Sequence, residues 1–211
     1  MAEVETQGTG EIERIADRAG LEVLYTEEAK VRVTAVSALA ERIRTVESLL
    51  ERDGVEVRAR RLFVHDRWDA KRRAGASANQ SYSVRVTDLE VLNDLVADLV
   101  LTEPANLRGP FWDLADHADA VRAAQYEAVA DARRRAEGYA DALGTRLGPL
   151  VRLSDGRITP QPARFASLSH AREKATAARP DIADLSLEPQ LVTVVTSCTT
   201  VWQLADQARR P

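Results

Sequence analysis

Three histidines and one cysteine are the residues of this 211-residue chain best suited to acid–base, metal or nucleophilic chemistry. His65 precedes Asp66, and a carboxylate beside an imidazole can orient it for proton transfer. No nucleophile lies near the pair in sequence, so it reads as an edge-strand polar pair. His117 falls at a helix start and His170 in an irregular segment. No histidine pairs with another at i, i+4 or with a nearby cysteine, so neither metal nor cofactor is expected. Cys198 has no partner for an intramolecular disulfide. It sits in a Val/Thr run with nothing local to lower its pKa, and reads as a small buried apolar residue. The glycine patterns that cradle phosphates or form a hydrolase elbow are absent. The expectation is a protein without catalytic residues.

Charge and aromatics point elsewhere. Arg58, Arg60, Arg61, Arg67, Lys71, Arg72 and Arg73 form a basic cluster, with Trp68 the one aromatic interleaved among the later members. Stacking platforms for nucleic acid need more aromatics, and the formal net charge is −4, so nucleic-acid binding is not expected. The cluster reads as a solvated face or a set of ion pairs between subunits. Trp68, Trp112 and Trp202 lie at strand ends or near Pro/Gly breaks, where either core packing or an assembly contact would use a large ring carrying one N–H donor. No apolar run approaches the roughly 18 residues that span a bilayer.

These residues must be placed by elements of mixed type. GEIERIADRAGLEVLYT reads as one long strand with a bulge or bend at Asp17 and Gly20. Val36, Leu39, Ile43, Val46 and Leu50 recur at helical spacing, and Asp53-Gly54 marks the stop. In VEVRARRLFVHDRW the apolar parity flips, predicting a bulge near Arg60-Arg61. DAKRRAGASANQ reads as a polar connection. Tyr82, Val84 and Val86 then alternate as a half-buried strand, and Thr87 or Asp88 is placed to cap a helix bearing Leu92, Leu95, Val96 and Leu99. Gly109-Pro110 excludes a central-strand role for LRGPFWDL. From Asp116 to Leu143 a proline-free helix carries Val121, Ala124, Ala128, Ala132, Ala136, Tyr139 and Leu143 on one side, ended by Gly144 and Gly148. PLVRL and LVTVVTSCTTVWQL are strands. Two β-α-β units in tandem, a long Ala-rich helix and a C-terminal strand define an α+β layer structure whose consecutive strands pair antiparallel.

Residues 1–9 are expected to be disordered, 10–204 to form one domain with a variable insertion at 154–190 holding at most one short helix around 163–178, and 205–211 to fray. The segments GEIERIADRAGLEV, VHDRWD, SYSVRVTDLEVLNDLV, AVADARRRAEGYADALGTRLGPLVRLSDG and VTVVTSCTTVWQL, in this order, resemble the SIMPL-domain family, which includes bacterial periplasmic immunogenic proteins. The A-x-A-R-x-x-A-x-x-x-A…LG pattern running into a strand carries most of the likeness, which spans roughly residues 8–204 outside the 154–190 segment. The resemblance implies an α+β fold and large homo-oligomers, in a family linked to envelope and stress phenotypes with no established reaction. MAEVETQGTG has acidic residues where a signal peptide needs positive charge. A cytoplasmic location is therefore expected, unlike the exported members.

The functional expectation is a non-catalytic homo-oligomer, with Trp68, Trp112, Trp202, Ala128, Ala132 and Ala136 as interface candidates. A small-ligand binder or enzyme with a pocket between the two β-α-β units is the alternative.

Overall fold

The computed structural model describes residues 2–70, 72–156 and 187–206. Lys71, His170, most of the expected insertion with its helix near 163–178, and the end of the expected tail lie outside the described residues. In chain order the elements are β1 (Ala2–Ile15), β2 (Arg18–Ala29), α1 (Arg32–Leu50), β3 (Val55–Asp69), β4 (Arg72–Val86), α2 (Leu92–Leu101), β5 (Asn106–Asp113), α3 (His117–Ala142), β6 (Thr145–Asp155) and β7 (Leu191–Asp206). A 3₁₀ turn, Leu89–Val91, precedes α2. The fold is α+β with antiparallel sheets, as expected. It divides into two compact units where one domain was expected: residues 2–15, 116–156 and 191–206 form the first, and 16–115 with 187–190 the second.

The second unit is a four-stranded sheet in the order β3-β4-β2-β5, every neighbour antiparallel. With α1 and α2 as crossovers this is the split β-α-β arrangement. Strand alternation sends Leu21, Val23 and Tyr25 of β2 and Tyr82, Val84 and Val86 of β4 to one face. Leu39, Val46 and Leu50 of α1 and Leu92, Leu95 and Leu99 of α2 bury against that face. Each large side chain buried there contributes about 1.5–3 kcal/mol. The polar ends of the two tyrosines are satisfied: Tyr25 Oη and Thr102 Oγ1 lie 2.6 Å apart, and Tyr82 Oη donates to Glu47 at 2.9 Å. Arg42 clasps the same corner, pairing with Glu27 and standing 5.8 Å over the Tyr25 ring. Asp88 caps the 3₁₀ turn by accepting from the Glu90 amide. β5, with Gly109-Pro110, is an edge strand as its proline requires.

The first unit is a three-stranded sheet in the order β1-β7-β6, with α3 packed on one face. Residues 2–9, expected to be disordered, belong to β1, which pairs along its whole length with β7 from Ala2↔Leu204 to Ile15↔Leu191. Gly8 and Gly10 lie within this strand, although glycine normally weakens one. Here both face the helix: a Cβ at Gly8 would strike the Ala128 carbonyl, and one at Gly10 the Ala124 carbonyl. Thr6 Oγ1 donates to the Ala132 carbonyl at 2.8 Å, and the Thr9 amide donates to Asp131 at 3.2 Å, fixing the helix lengthwise.

Other departures have local causes. The expected single strand of residues 10–26 breaks at Ala16-Asp17, and its halves join different sheets. The β3 bulge falls at Arg58, between Val57 and Ala59, two residues before its expected place. Arg60 thereby reaches the helix side and pairs with Glu47 of α1. DAKRRAGASANQ is mostly β4, with Ala76, Ser77 and Ala78 buried and paired across the sheet. The buried side of α3 is Ala120, Ala124, Ala128, Ala132, Ala136 and Ala140, whereas Tyr139 and Leu143 are exposed. The expected frayed tail starts later, since Ala205 and Asp206 still belong to β7.

Substituting Gly10→Val should destabilise the protein by about 2–3 kcal/mol through overpacking. Gly138→Ala, at a helical site with open space around a new Cβ, should stabilise it by roughly 0.5–1 kcal/mol. Urea denaturation of both variants, followed by circular dichroism, measures the contrast.

Candidate functional site

The interface candidates separate into three environments. Ala128, Ala132 and Ala136 are covered by the chain's own strands in the first unit, with at most 1% of their surface exposed. As assembly surface they are a correction: a small-residue ridge admits a close neighbour, and that neighbour is β1 with its two glycines. Trp202, also in the first unit, is half-buried and donates from Nε1 to Thr200 Oγ1 at 2.9 Å. Trp112, in β5, packs half-buried against the core of the second unit. Trp68 is different. It lies near the end of β3, an edge strand, and is 65% exposed. Leu62 and Phe63 of the same strand are similarly bare, at 58% and 64%. Leu62, on the helix side, is bare because the helix layer stops short of it, an extent that sequence parity does not tell; Phe63 stands on the opposite face.

The chemical candidates do not converge. His65 stacks on Phe63 with ring centroids 5.0 Å apart, and its Nδ1 is buried without a hydrogen-bond partner. Asp66 turns instead to Arg32 and Arg73, at 3.0 and 2.9 Å, and the hydrogen bond from Arg32 chiefly holds its carboxyl below the usual range. The imidazole and carboxylate therefore form no proton relay. His117 begins α3. Burial pushes the Cys198 thiol up, outweighing the hydrogen bond from the Gly8 amide, which favours an inert thiol. Among the described residues no group of three or more His, Cys, Asp or Glu could hold a metal ion, and no helix is long and apolar enough to cross a membrane.

The basic cluster is largely paired within the second unit. Arg60 grips Glu47 with a fork of hydrogen bonds down to 2.7 Å. Arg67 pairs with Glu28, Arg73 with Asp66, and Arg58 with Glu56 at 3.5 Å. Glu47 also accepts from Tyr82, and the Arg60 bond above all lowers its pKa. Burial and the same carboxylate push the Tyr82 phenol up. Arg61 and Arg72 differ: among the described residues neither has an ion pair.

Arg61 stands on the helix-free face of the four-stranded sheet. The register builds two adjacent rows across all four strands there: Arg61–Ser81–Leu24–Asn106 and Ala59–Ser83–Glu22–Arg108. The short side chains of Ala59, Ser81 and Ser83, set among longer ones, leave a recess of about 260 Å³ lined by these residues. The S-Y-S alternation of residues 81–83 signalled the polar side of a strand. The bulge at Arg58, which turns Arg61 outward, was the part sequence parity misplaced.

Architecture and surfaces together define an α+β protein of two sheet-and-helix units, with its exposed apolar residues concentrated partly on an edge strand. The family model described as SIMPL, a protein of unknown function (DUF541), matches residues 4–202, and the chain belongs to that family. The match runs through segments of both units. Among curated proteins no match is found.

Because its carboxyl is lowered in the folded state, Glu47 stabilises the fold above the ordinary glutamate pKa of about 4.3, and this is lost as pH falls through the lower folded value. Glu47→Gln should cost about 1 kcal/mol at pH 7 and progressively less below pH ~4. Denaturation midpoints across that range read the difference.

Proposed function

We propose that this SIMPL protein acts without catalysis, as a self-assembling scaffold whose oligomer presents a surface to partners. The observation that carries the reading is β3, an edge strand on which Leu62, Phe63 and Trp68 stand exposed. An edge strand offers unpaired N–H and C=O groups, and bare apolar side chains beside them favour burial against another chain. Natural edges are often blunted with charge, and β3 is rich in arginine. Most of these arginines are already paired, Arg58 with Glu56, Arg60 with Glu47 and Arg67 with Glu28, so their repulsion toward a second copy is reduced. β6 supports the same reading from the first unit: it too is an edge strand, and Leu150, Val151 and Leu153 are partly bare.

Sedimentation or light scattering on the purified chain should give a particle several times the 23.2 kDa protomer. The double variant Phe63→Glu, Trp68→Glu should shift it to smaller species with unchanged circular dichroism. A wild-type monomer at micromolar concentration would refute assembly. An unaltered mass for the variant would remove β3 from the interface.

A further inference from the structure

We infer that the recess on the helix-free face of the four-stranded sheet binds a small organic carboxylate, with Arg61 as its anchor. This goes beyond assembly: Arg61 belongs to the same edge strand, β3, but the recess runs inward from it across the sheet face.

The pairing register supplies the geometry. Arg61 and Arg108 stand at diagonally opposite corners of the two rows, on the two edge strands. Three strand spacings of about 4.8 Å and an offset of about 6.8 Å along the strands separate their backbones, roughly 16 Å in all. Between them the floor is made of Ser81 and Ser83 on β4, Ala59 on β3 and Leu24 on β2. Two short hydroxyl side chains and one methyl leave the depth; Leu24 gives it an apolar patch.

The charges select the ligand. Arg108 lies 4.0 Å from Glu22, so the wall formed by β2 and β5 is close to neutral. Arg61 has no such partner among the described residues, whereas Arg58, Arg60 and Arg67 of the same strand are paired. The recess therefore carries one uncompensated positive charge at its β3 side. A guanidinium presents a planar fork of donors that matches a carboxylate, and the neighbouring Ser81 hydroxyl can add a third donor. The rest of the ligand would lie over Leu24 and Ala59 toward Asn106, whose amide can donate or accept. A compact monocarboxylate with a flat apolar body fits; a fully solvated inorganic anion would leave the Leu24 patch unused.

The test is a benzoate titration of the intact chain, followed through backbone amide and arginine side-chain resonances, with benzyl alcohol and inorganic phosphate as parallel probes at matched ionic strength. The expected result is saturable shifts for residues of the two rows with benzoate, and weaker or no saturation with either other probe. Arg61→Gln should weaken benzoate by about ten-fold or more, and Arg61→Lys by less. Arg146→Gln, an exposed cation of the first unit, should leave it unchanged. Arg61 is exposed, and a well-dispersed spectrum of each variant verifies its fold. Shifts that fail to saturate, that spread over arginines generally, or that survive Arg61→Gln would overturn the site. Equal saturation by phosphate would overturn the assignment to a carboxylate. None of these readouts depends on the particle mass, so this site and the assembly reading fail separately.

Discussion

The closeness of α3 to β1 governs the first unit. Along a strand, residues two apart advance by about 6.8 Å; along a helix, residues four apart advance by about 6.0 Å. The two repeats stay nearly in step over a pair of contacts, so Gly8 and Gly10 meet the Ala124–Ala128–Ala132 line as a ratchet meets its teeth. Such proximity leaves no room for side-chain packing in the usual sense. Specificity comes from what a backbone this near can do, as when Thr6 reaches a helix carbonyl while also meeting Thr200 3.1 Å away.

The second unit solves its packing conventionally, with leucines, valines and two buried tyrosines, and puts its precision into polar groups. Tyr25 and Tyr82 meet edge to face at 6.2 Å, and each sends its hydroxyl out of the core to a named partner. The Glu47–Arg60 pair depends on the β3 bulge, which delivers an arginine to the helix side. The same extra residue turns Arg61 to the opposite face. One local irregularity thus decides both which arginine holds α1 and which is left for the recess.

Much of this order was legible in the residues. The period of Leu39, Val46 and Leu50, the alternation of Tyr82, Val84 and Val86, the proline in β5 and the proline-free run of α3 state their elements directly. What was not legible had one recurring cause: small residues are ambiguous. Gly8 and Gly10 resemble a loose terminus, and Ala76, Ser77 and Ala78 resemble a linker, until a neighbour pressed against them explains their size. The alanines of α3 were recognised as a close-approach surface, but which chain approaches is a tertiary fact that helical spacing does not encode. For the candidate sites, Trp68 could be named in advance. The recess could not, because it depends on cross-strand register, and a bulge shifts register without changing composition.

The order in which the strands leave the ribosome adds a constraint. The middle strand of the three-stranded sheet is β7, nearly two hundred residues after its neighbour β1 across the Gly8↔Cys198 pairing. The contiguous stretch 16–115 can mature while translation continues, but β1 and β6 have no common partner until the last strand is made. The newborn chain therefore carries β1 without its partner for most of its synthesis, joined by β6 only near the end. Glutamates at positions 3, 5, 11 and 13 along the earlier one, mutually repelling on a growing polysome, discourage premature pairing between nascent copies.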